Sequence, residues 1–186
     1  MSAFEPGPGL TSGPDAGGVP VDVPALVRRL SEASATVATA ESLTGGLVVA
    51  ALVQVAGASA VVRGGIVAYH SDLKARLLGV DDSLLARGGA VQAEVAAQLA
   101  EGARDRLRAT HGIGTTGAAG PLASDGAAPG TVFVAVAHAG ETVVQRWAFR
   151  GDRDEVRRAS TQAALRLLAS TIGPPRRGAP GPVLAG

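Results

Sequence analysis

The sequence contains no cysteine among its 186 residues. This absence excludes disulfide bonds, zinc sites built on thiolates and a cysteine nucleophile, so covalent catalysis would have to use an oxygen atom. Histidine is also scarce: His70, His111 and His138 are far apart and lack the H-x-x-x-H or H-x-H spacing of a zinc site. We therefore expect no bound metal and no other cofactor.

The chain also lacks an excess of charge of either sign. Its 17 Lys and Arg residues nearly balance 16 Asp and Glu residues, for a net charge of +1. The arginine pairs at 28–29, 157–158 and 176–177 are scattered and have no aromatic residues between them, unlike the basic surface of a nucleic-acid-binding protein. No apolar run is long enough to cross a bilayer, and the first residues do not resemble a signal peptide. We expect a cytoplasmic protein that binds neither nucleic acid nor membranes.

Small side chains dominate what is present. With 46% hydrophobic residues, 26 glycines and only 3% aromatics, the sequence predicts one domain in which helices and strands pack closely. Segments rich in Gly and Pro flank this domain. We expect residues 1–22 to form a disordered lead, residues 23–172 to form the domain, and residues 173–186 to form a disordered tail.

Helical and strand patterns alternate along the domain, which is typical of an α/β fold. The predicted class is a single three-layer α/β/α domain with a mixed, largely parallel sheet that includes a β-hairpin in its C-terminal half. Ser71 is the predicted N-cap of a short helix closed by Gly79, and Asp152 is the predicted cap of the last helix. Apart from the short helix that begins near Ser71, the helices are predicted at 23–34, 46–55, 91–108 and 153–170. The strands are predicted at 36–40, 60–69, 112–116, 131–137 and 142–149.

The segment Thr39-Ala40-Glu41-Ser42-Leu43-Thr44-Gly45-Gly46 is the first candidate for a functional site. It lies where a short apolar strand turns into a helix that begins with glycine. Backbone N–H groups at such an elbow can hold an anion, or the oxyanion that forms when a serine attacks a carbonyl carbon. The alternative is that Ser42 or Thr44 only caps the helix while the glycines permit a tight turn.

Lys74 is the second candidate, because it lies in the first turn of its predicted helix, where the macrodipole should lower its pKa. A neutral lysine can accept the proton of a serine hydroxyl. The alternative is an exposed lysine that contributes only to solubility. Tyr69, the only tyrosine, lies at a strand end and is either a hydrogen-bonding relay or an ordinary aromatic residue.

An ordered set of short motifs resembles the CinA C-terminal domain family over residues 25 to about 170. The set reads A-E-S-x-T-G-G, then R-G-G-x-V-A-Y followed by Lys74, then L-L-G-V, G-A-V, T-G-x-A-G-P, P-G-T-V and G-D-R. These motifs occupy residues 40–46, 63–69, 77–80, 89–91, 116–121, 129–132 and 151–153. Because only a Pro- and Gly-rich lead precedes residue 23, the chain resembles the stand-alone form of the family.

The resemblance implies a PncC-type nicotinamide-nucleotide amidohydrolase, a hydrolase of NAD metabolism and pyridine nucleotide salvage. Such an enzyme converts nicotinamide mononucleotide to nicotinate mononucleotide and ammonia, and we expect it to form a homo-oligomer. In this interpretation Ser42 is the nucleophile, Lys74 is the general base and Tyr69 supports the pair. Backbone N–H groups of Thr44, Gly45 and Gly46 hold the oxyanion. Further candidates for binding the substrate and its phosphate are Thr116, Gly117, Gly120 and Arg153.

Two departures from the family pattern bear on the substrate. Gln92 replaces the serine of G-A-V-S, and the loop 122–129 lacks the G-G pair, the lysine and the P-V that commonly precede G-T-V. Two alternatives therefore remain open. The domain either binds a nucleotide or a partner protein without turnover, or hydrolyses another small amide. A binder should be indifferent to the replacement of Ser42 or Lys74, whereas an enzyme should lose turnover with either change.

Overall fold

A computed structural model describes residues 19–173. The predicted disordered lead and tail lie outside the described residues, except at 19–22 and 173. The described part contains five strands and six α-helices, and a 3₁₀ turn at Ala58–Ala60 precedes the second strand. The strands are β1 (Val37–Glu41), β2 (Val62–Val67), β3 (His111–Gly117), β4 (Thr131–His138) and β5 (Glu141–Ala148). The helices are α1 (Val23–Glu32), α2 (Leu47–Val53), α3 (Ser71–Leu78), α4 (Asp82–Gly88), α5 (Ala93–Arg106) and α6 (Arg153–Thr171).

One mixed sheet with the strand order β2-β1-β3-β4-β5 forms the middle layer. Strand β1 is parallel to both of its neighbours, whereas β3–β4 and β4–β5 are antiparallel. The predicted mixed sheet and hairpin are confirmed, but the sheet is half parallel rather than largely parallel. Because the chain leaves β1 toward β2 on one side and returns to β3 on the other, β1 lies at the topological switch point.

The two faces of the sheet carry side chains of different size. Toward α1, α2 and α6 the sheet presents valines and an isoleucine, such as Val37, Ile113 and Val134, which pack against leucines of these helices. Toward α3 and α5 it presents alanines, such as Ala38, Ala40 and Ala135. The two faces thus give the three-layer arrangement predicted from the alternation of elements.

Glycines of β3 allow α5 to lie very close to the sheet. A Cβ atom on Gly112 would collide with the Ala100 carbonyl oxygen, and one on Gly114 would collide with the Ala96 carbonyl oxygen. The backbone of α5 therefore rests directly on β3, and no larger residue fits at either position. This contact confirms the close packing predicted from the composition.

Local signals explain most helix ends. Asp152 forms a capping box with Glu155 at the start of α6, and Gly79 ends α3 in the left-handed conformation, both as predicted. The predicted N-cap of α3 is wrong by one residue: His70 occupies that position without a side-chain cap hydrogen bond. Helix α4, capped by Asp81, was not predicted.

No helix in residues 19–173 is both long and apolar enough to cross a membrane.

Candidate functional site

A cavity of about 460 Å³ opens at the carboxyl ends of the three parallel strands. This is the expected position of a ligand in an α/β domain, because the loops that follow neighbouring parallel strands diverge at a switch point. Six of the ten candidate site residues named from the sequence line it: Ser42, Tyr69, Lys74, Gly117, Gly120 and Arg153. They come from the ends of β1, β2 and β3 and from the first turns of α3 and α6.

Lys74 is almost completely buried beneath this cavity, with 1% of its surface exposed. Its Nζ donates hydrogen bonds to the carbonyl oxygens of Ala68 at 2.9 Å and Tyr69 at 3.0 Å. Burial lowers the pKa of Lys74 from its ordinary value of 10.5, and the carboxylate of Asp125 opposes this shift. The shift has the direction predicted from the sequence, and its largest cause is burial. A purely solubilising lysine is excluded by this environment.

A neutral lysine amine has two N–H donors and one lone pair. In this protein two carbonyl oxygens, those of Ala68 and Tyr69, can take both donors. The lone pair then remains available to accept a proton on the cavity side. The geometry suits a general base at Lys74.

Ser42 lies immediately after β1, and 9% of its surface is exposed, toward the cavity that Lys74 also lines. Its N–H donates to the Thr115 carbonyl oxygen at 3.1 Å, and its carbonyl oxygen accepts from the Gly45 N–H at 3.1 Å. These bonds fix the backbone of Ser42 between β3 and the turn into α2. Sequence reasoning therefore identified two polar residues that the fold brings to one cavity.

The elbow itself is organised around Glu41, which sequence reasoning did not single out. Its carboxylate is fully buried, and it accepts hydrogen bonds from the N–H groups of Gly46, Val48 and Val49 at 2.8, 3.1 and 2.9 Å. The hydroxyl of Thr39 donates to the same carboxylate at 3.1 Å. An internal anion therefore satisfies the N-terminus of α2, where an external anion had been expected.

This arrangement bears on the predicted oxyanion donors. The Gly46 N–H donates to the Glu41 carboxylate, and the Gly45 N–H donates to the Ser42 carbonyl oxygen. Both glycines instead provide the positive φ angles, 59° and 97°, that the turn requires. Thr44 is buried, and its hydroxyl bonds that of Thr115 at 2.8 Å rather than facing the cavity. Within residues 19–173, the N–H groups of Leu43 and Thr44 have no protein acceptor.

Arg157 braces the elbow from α6. Its Nε donates to the Leu43 carbonyl oxygen at 3.0 Å, and its guanidinium also donates to the Thr44 carbonyl oxygen at 3.1 Å. A planar guanidinium can hold two neighbouring carbonyls in a fixed orientation. Because the Leu43 carbonyl and the Thr44 N–H belong to one planar peptide unit, Arg157 orients the Thr44 donor without lining the cavity.

The T-G-x-A-G-P segment, residues 116–121, contributes unevenly to the site. Gly117 and Gly120 line the cavity, whereas the Thr116 hydroxyl turns away and donates to the Ala90 carbonyl oxygen at 2.7 Å. Arg153 joins the loop to the rim, because its guanidinium donates to the Gly120 carbonyl oxygen at 2.9 Å and to the Tyr69 hydroxyl at 2.8 Å. The Tyr69 hydroxyl therefore contacts Arg153, and only its backbone carbonyl contacts Lys74.

The loop 122–129 supplies residues that sequence reasoning did not place in the site. Leu122, Ser124 and Asp125 all line the cavity. The only available signal was the departure of this loop from the family pattern, which does not show where the loop lies. Its arrival beside Lys74 depends on contacts between distant parts of the chain.

The fold and site together define an α/β domain with a polar cavity at the carboxyl ends of its parallel strands. The family model described as CinA C-terminal domain matches residues 23–172. The chain therefore belongs to the CinA C-terminal domain family, as its motifs predicted.

Individual proteins support this assignment. A CinA-like protein of Frankia casuarinae is 46% identical over 139 residues, which cover 75% of this chain and 32% of the relative. A CinA-like protein of an Anaeromyxobacter species is 48% identical over 149 residues, which cover 79% and 36%. The chain thus spans about a third of the length of these curated relatives.

Solved structures show the same fold. A competence-damaged protein (CinA) superfamily protein from Escherichia coli superposes with a TM-score of 0.79 at 31% identity, covering 87% of this chain and 95% of that one. A competence/damage inducible protein from Agrobacterium tumefaciens gives a TM-score of 0.75 at 37% identity, covering 83% and 98%. Family and fold are consistent in both comparisons.

Proposed function

We propose that this domain is a nicotinamide-nucleotide amidohydrolase that uses Ser42 as nucleophile and Lys74 as general base. The observation that carries the proposal is a buried lysine of lowered pKa that lines the same cavity as a serine at the end of the central strand. Serine is a weak nucleophile on its own and needs such a base. The CinA-like names of the relatives are compatible with this activity without specifying it.

The reaction follows from these groups. The Ser42 Oγ attacks the carboxamide carbon while its proton passes to the Lys74 Nζ. Lys74 then gives that proton to the departing amine, the C–N bond breaks and ammonia leaves. Lys74 next takes a proton from water, whose oxygen attacks the acyl ester. The bond between the acyl carbon and the Ser42 Oγ breaks, Lys74 returns its proton to that Oγ, and the carboxylic acid leaves. Nicotinamide mononucleotide and water are thus converted to nicotinate mononucleotide and ammonia.

The surroundings support charge development in this reaction. Within residues 19–173 the N–H groups of Leu43 and Thr44 are elbow donors without a protein acceptor, and Leu43 lines the cavity, so we assign the oxyanion to these donors rather than to Gly45 or Gly46. Arg153, at the exposed rim, is the candidate for the phosphate group. Tyr69 holds the Arg153 guanidinium in place through its hydroxyl.

Ammonia release from nicotinamide mononucleotide, without added metal, tests the proposal. The wild type should release ammonia, and both Ser42→Ala and Lys74→Met should lower the rate at least about a hundredfold while remaining folded. Ser59→Ala is the matched control, because Ser59 is an exposed serine in the 3₁₀ turn before β2, at the end of the sheet away from the cavity. Equal rates for the wild type and Ser42→Ala would exclude Ser42 as the nucleophile.

A second candidate is hydrolysis of another small amide by the same residues. It is favoured by the loop 122–129, which departs from the family pattern and brings Leu122, Ser124 and Asp125 to the cavity. A panel of pyridine nucleotides and free nicotinamide distinguishes the two candidates. Faster turnover of an amide without a nucleotide would favour the second one.

A further inference from the structure

Asp125 is held in a defined position beside the proposed catalytic pair. Its Oδ2 accepts the Ala90 N–H at 2.6 Å, and the Ala90 carbonyl oxygen in turn accepts the Thr116 hydroxyl at 2.7 Å. The turn at Gly89 is built around the same side chain, because a Cβ atom on Gly89 would collide with Asp125. The segment 89–90, which is itself held by Thr116, therefore positions this carboxylate.

The carboxylate keeps one side available to a ligand. Asp125 lines the cavity, and within residues 19–173 its Oδ1 accepts no hydrogen bond from the protein. No salt bridge to Asp125 occurs in this part of the chain either. Asp125 interacts electrostatically with Lys74, and the burial of that amine favours its neutral form. Among the described residues, no cation forms an ion pair with the carboxylate that Asp125 presents to the cavity.

A cationic ligand would supply the missing charge. In an N-substituted nicotinamide the ring nitrogen carries a full positive charge and is meta to the carboxamide carbon. When Ser42 engages that carbon, the ring must occupy the same cavity that Asp125 lines. The exposed Arg153 at the rim is then left for an anionic substituent on the far side of the ring nitrogen.

We propose that Asp125 is a specificity-determining residue that selects carboxamides on a positively charged ring over their neutral counterparts. The inference rests on the proposed amidohydrolase function and deepens it, since it names the charge of the substrate ring. Asp125 lies in the loop 122–129, whose sequence departs from the family pattern.

Two ligands that differ mainly in ring charge test this role. Nicotinamide mononucleotide has a cationic ring, and its 1,4-dihydro form has the same substituents on an uncharged ring. The dissociation constants of both are measured by calorimetry with Ser42→Ala, so that binding is observed without turnover. The same measurement is made with the double variant Ser42→Ala/Asp125→Asn. Ammonia release from both ligands is measured with the wild type and with Asp125→Asn.

Asparagine is the appropriate replacement for structural reasons. Asp125 has a φ angle of 51°, a left-handed conformation that asparagine tolerates well, and the asparagine oxygen can still accept the Ala90 N–H. The control is Asp105→Asn in the last turn of α5. This change removes the same charge at the end of the sheet away from the cavity. An unchanged unfolding midpoint in Asp125→Asn verifies that the loop remains intact.

Because Asp125 is exposed, we expect a moderate effect: the replacement should weaken binding of the cationic ligand about two- to tenfold. Binding of the dihydro form should change less than about twofold, and Asp105→Asn should alter neither. An equal loss for both ligands, or no loss for either, would overturn the inference. So would a failure of both ligands to bind Ser42→Ala.

The two proposals can fail separately. If the wild type releases no ammonia but the charge-selective binding is present, the amidohydrolase proposal fails and the role of Asp125 stands. If the wild type turns over both ligands and Asp125→Asn lowers both rates equally without a change in the binding ratio, Asp125 acts only through Lys74. The specificity role is then excluded while the amidohydrolase function stands.

Discussion

Replacing Glu41 with glutamine should destabilise the domain strongly, although the two side chains have nearly the same shape. The Glu41 carboxylate accepts four hydrogen bonds in a fully buried position. A glutamine retains one oxygen, which can still accept hydrogen bonds from the N–H groups of Gly46 and Val48. Its NH₂ group then faces the Thr39 hydroxyl and the Val49 N–H. The hydroxyl can rotate and accept a hydrogen bond from the NH₂ group, whereas the Val49 N–H is left without an acceptor.

The expected magnitude follows from these contacts. One buried N–H without an acceptor costs about 1–3 kcal/mol, and the two remaining bonds lose charge assistance worth about 1 kcal/mol each. The free energy of unfolding should therefore fall by about 3–5 kcal/mol. Ammonia release should fall as well, because the same bonds fix the turn that carries Ser42.

Urea unfolding monitored by the fluorescence of Trp147, the only tryptophan, measures this change. The control is Glu94→Gln in the first turn of α5, which removes the same charge near a helix N-terminus. Within the described residues Glu94 accepts no hydrogen bond, so its replacement should cost less than about 1 kcal/mol. A loss in Glu41→Gln that is no larger than in Glu94→Gln would refute the assigned role of Glu41.

Three further predictions concern other parts of the structure. Burial holds the pKa of Lys74 below 10.5, so the unfolded chain binds more protons between the folded pKa and 10.5. The wild-type unfolding free energy should rise with pH through that window relative to Lys74→Met, and parallel pH profiles would contradict this. Arg157→Met should lower ammonia release more than about tenfold by freeing the elbow carbonyls, and normal steady-state kinetics would exclude a positioning role. Gly114→Ala should cost about 1–3 kcal/mol in urea unfolding because a methyl group would push α5 away, whereas Gly173→Ala, in open space, should cost little.

The elements predicted most accurately are those with local signals. Asp152 and its capping box mark the start of α6, and the hairpin turns at Gly140 as predicted. Helix α4 has seven residues and no buried ones, so it lacks the apolar stripe on which a prediction depends. Its existence depends on the cap at Asp81 and on contacts outside its own sequence.

The candidate site shows the same division between local and distant contacts. Ser42 and Lys74 could be found because each follows a recognisable strand, and parallel strands end at one edge of the sheet. Glu41 was missed because it lies inside a buried strand, five residues before the first N–H that it binds, where capping rules do not apply. Asp125 reaches the cavity through a contact with Ala90, 35 residues away in the sequence, and no local pattern records such a contact.

The internal carboxylate at the elbow also affects how the site meets its ligand. Many phosphate-binding loops become ordered only when the anion arrives, and part of the binding free energy is then spent on that ordering. Here Glu41, a residue of the protein itself, satisfies the first turn of α2. The serine turn is therefore rigid in advance, so we expect rapid association without a slow conformational phase. We expect the residues of the cavity wall opposite the turn to determine which ligands bind.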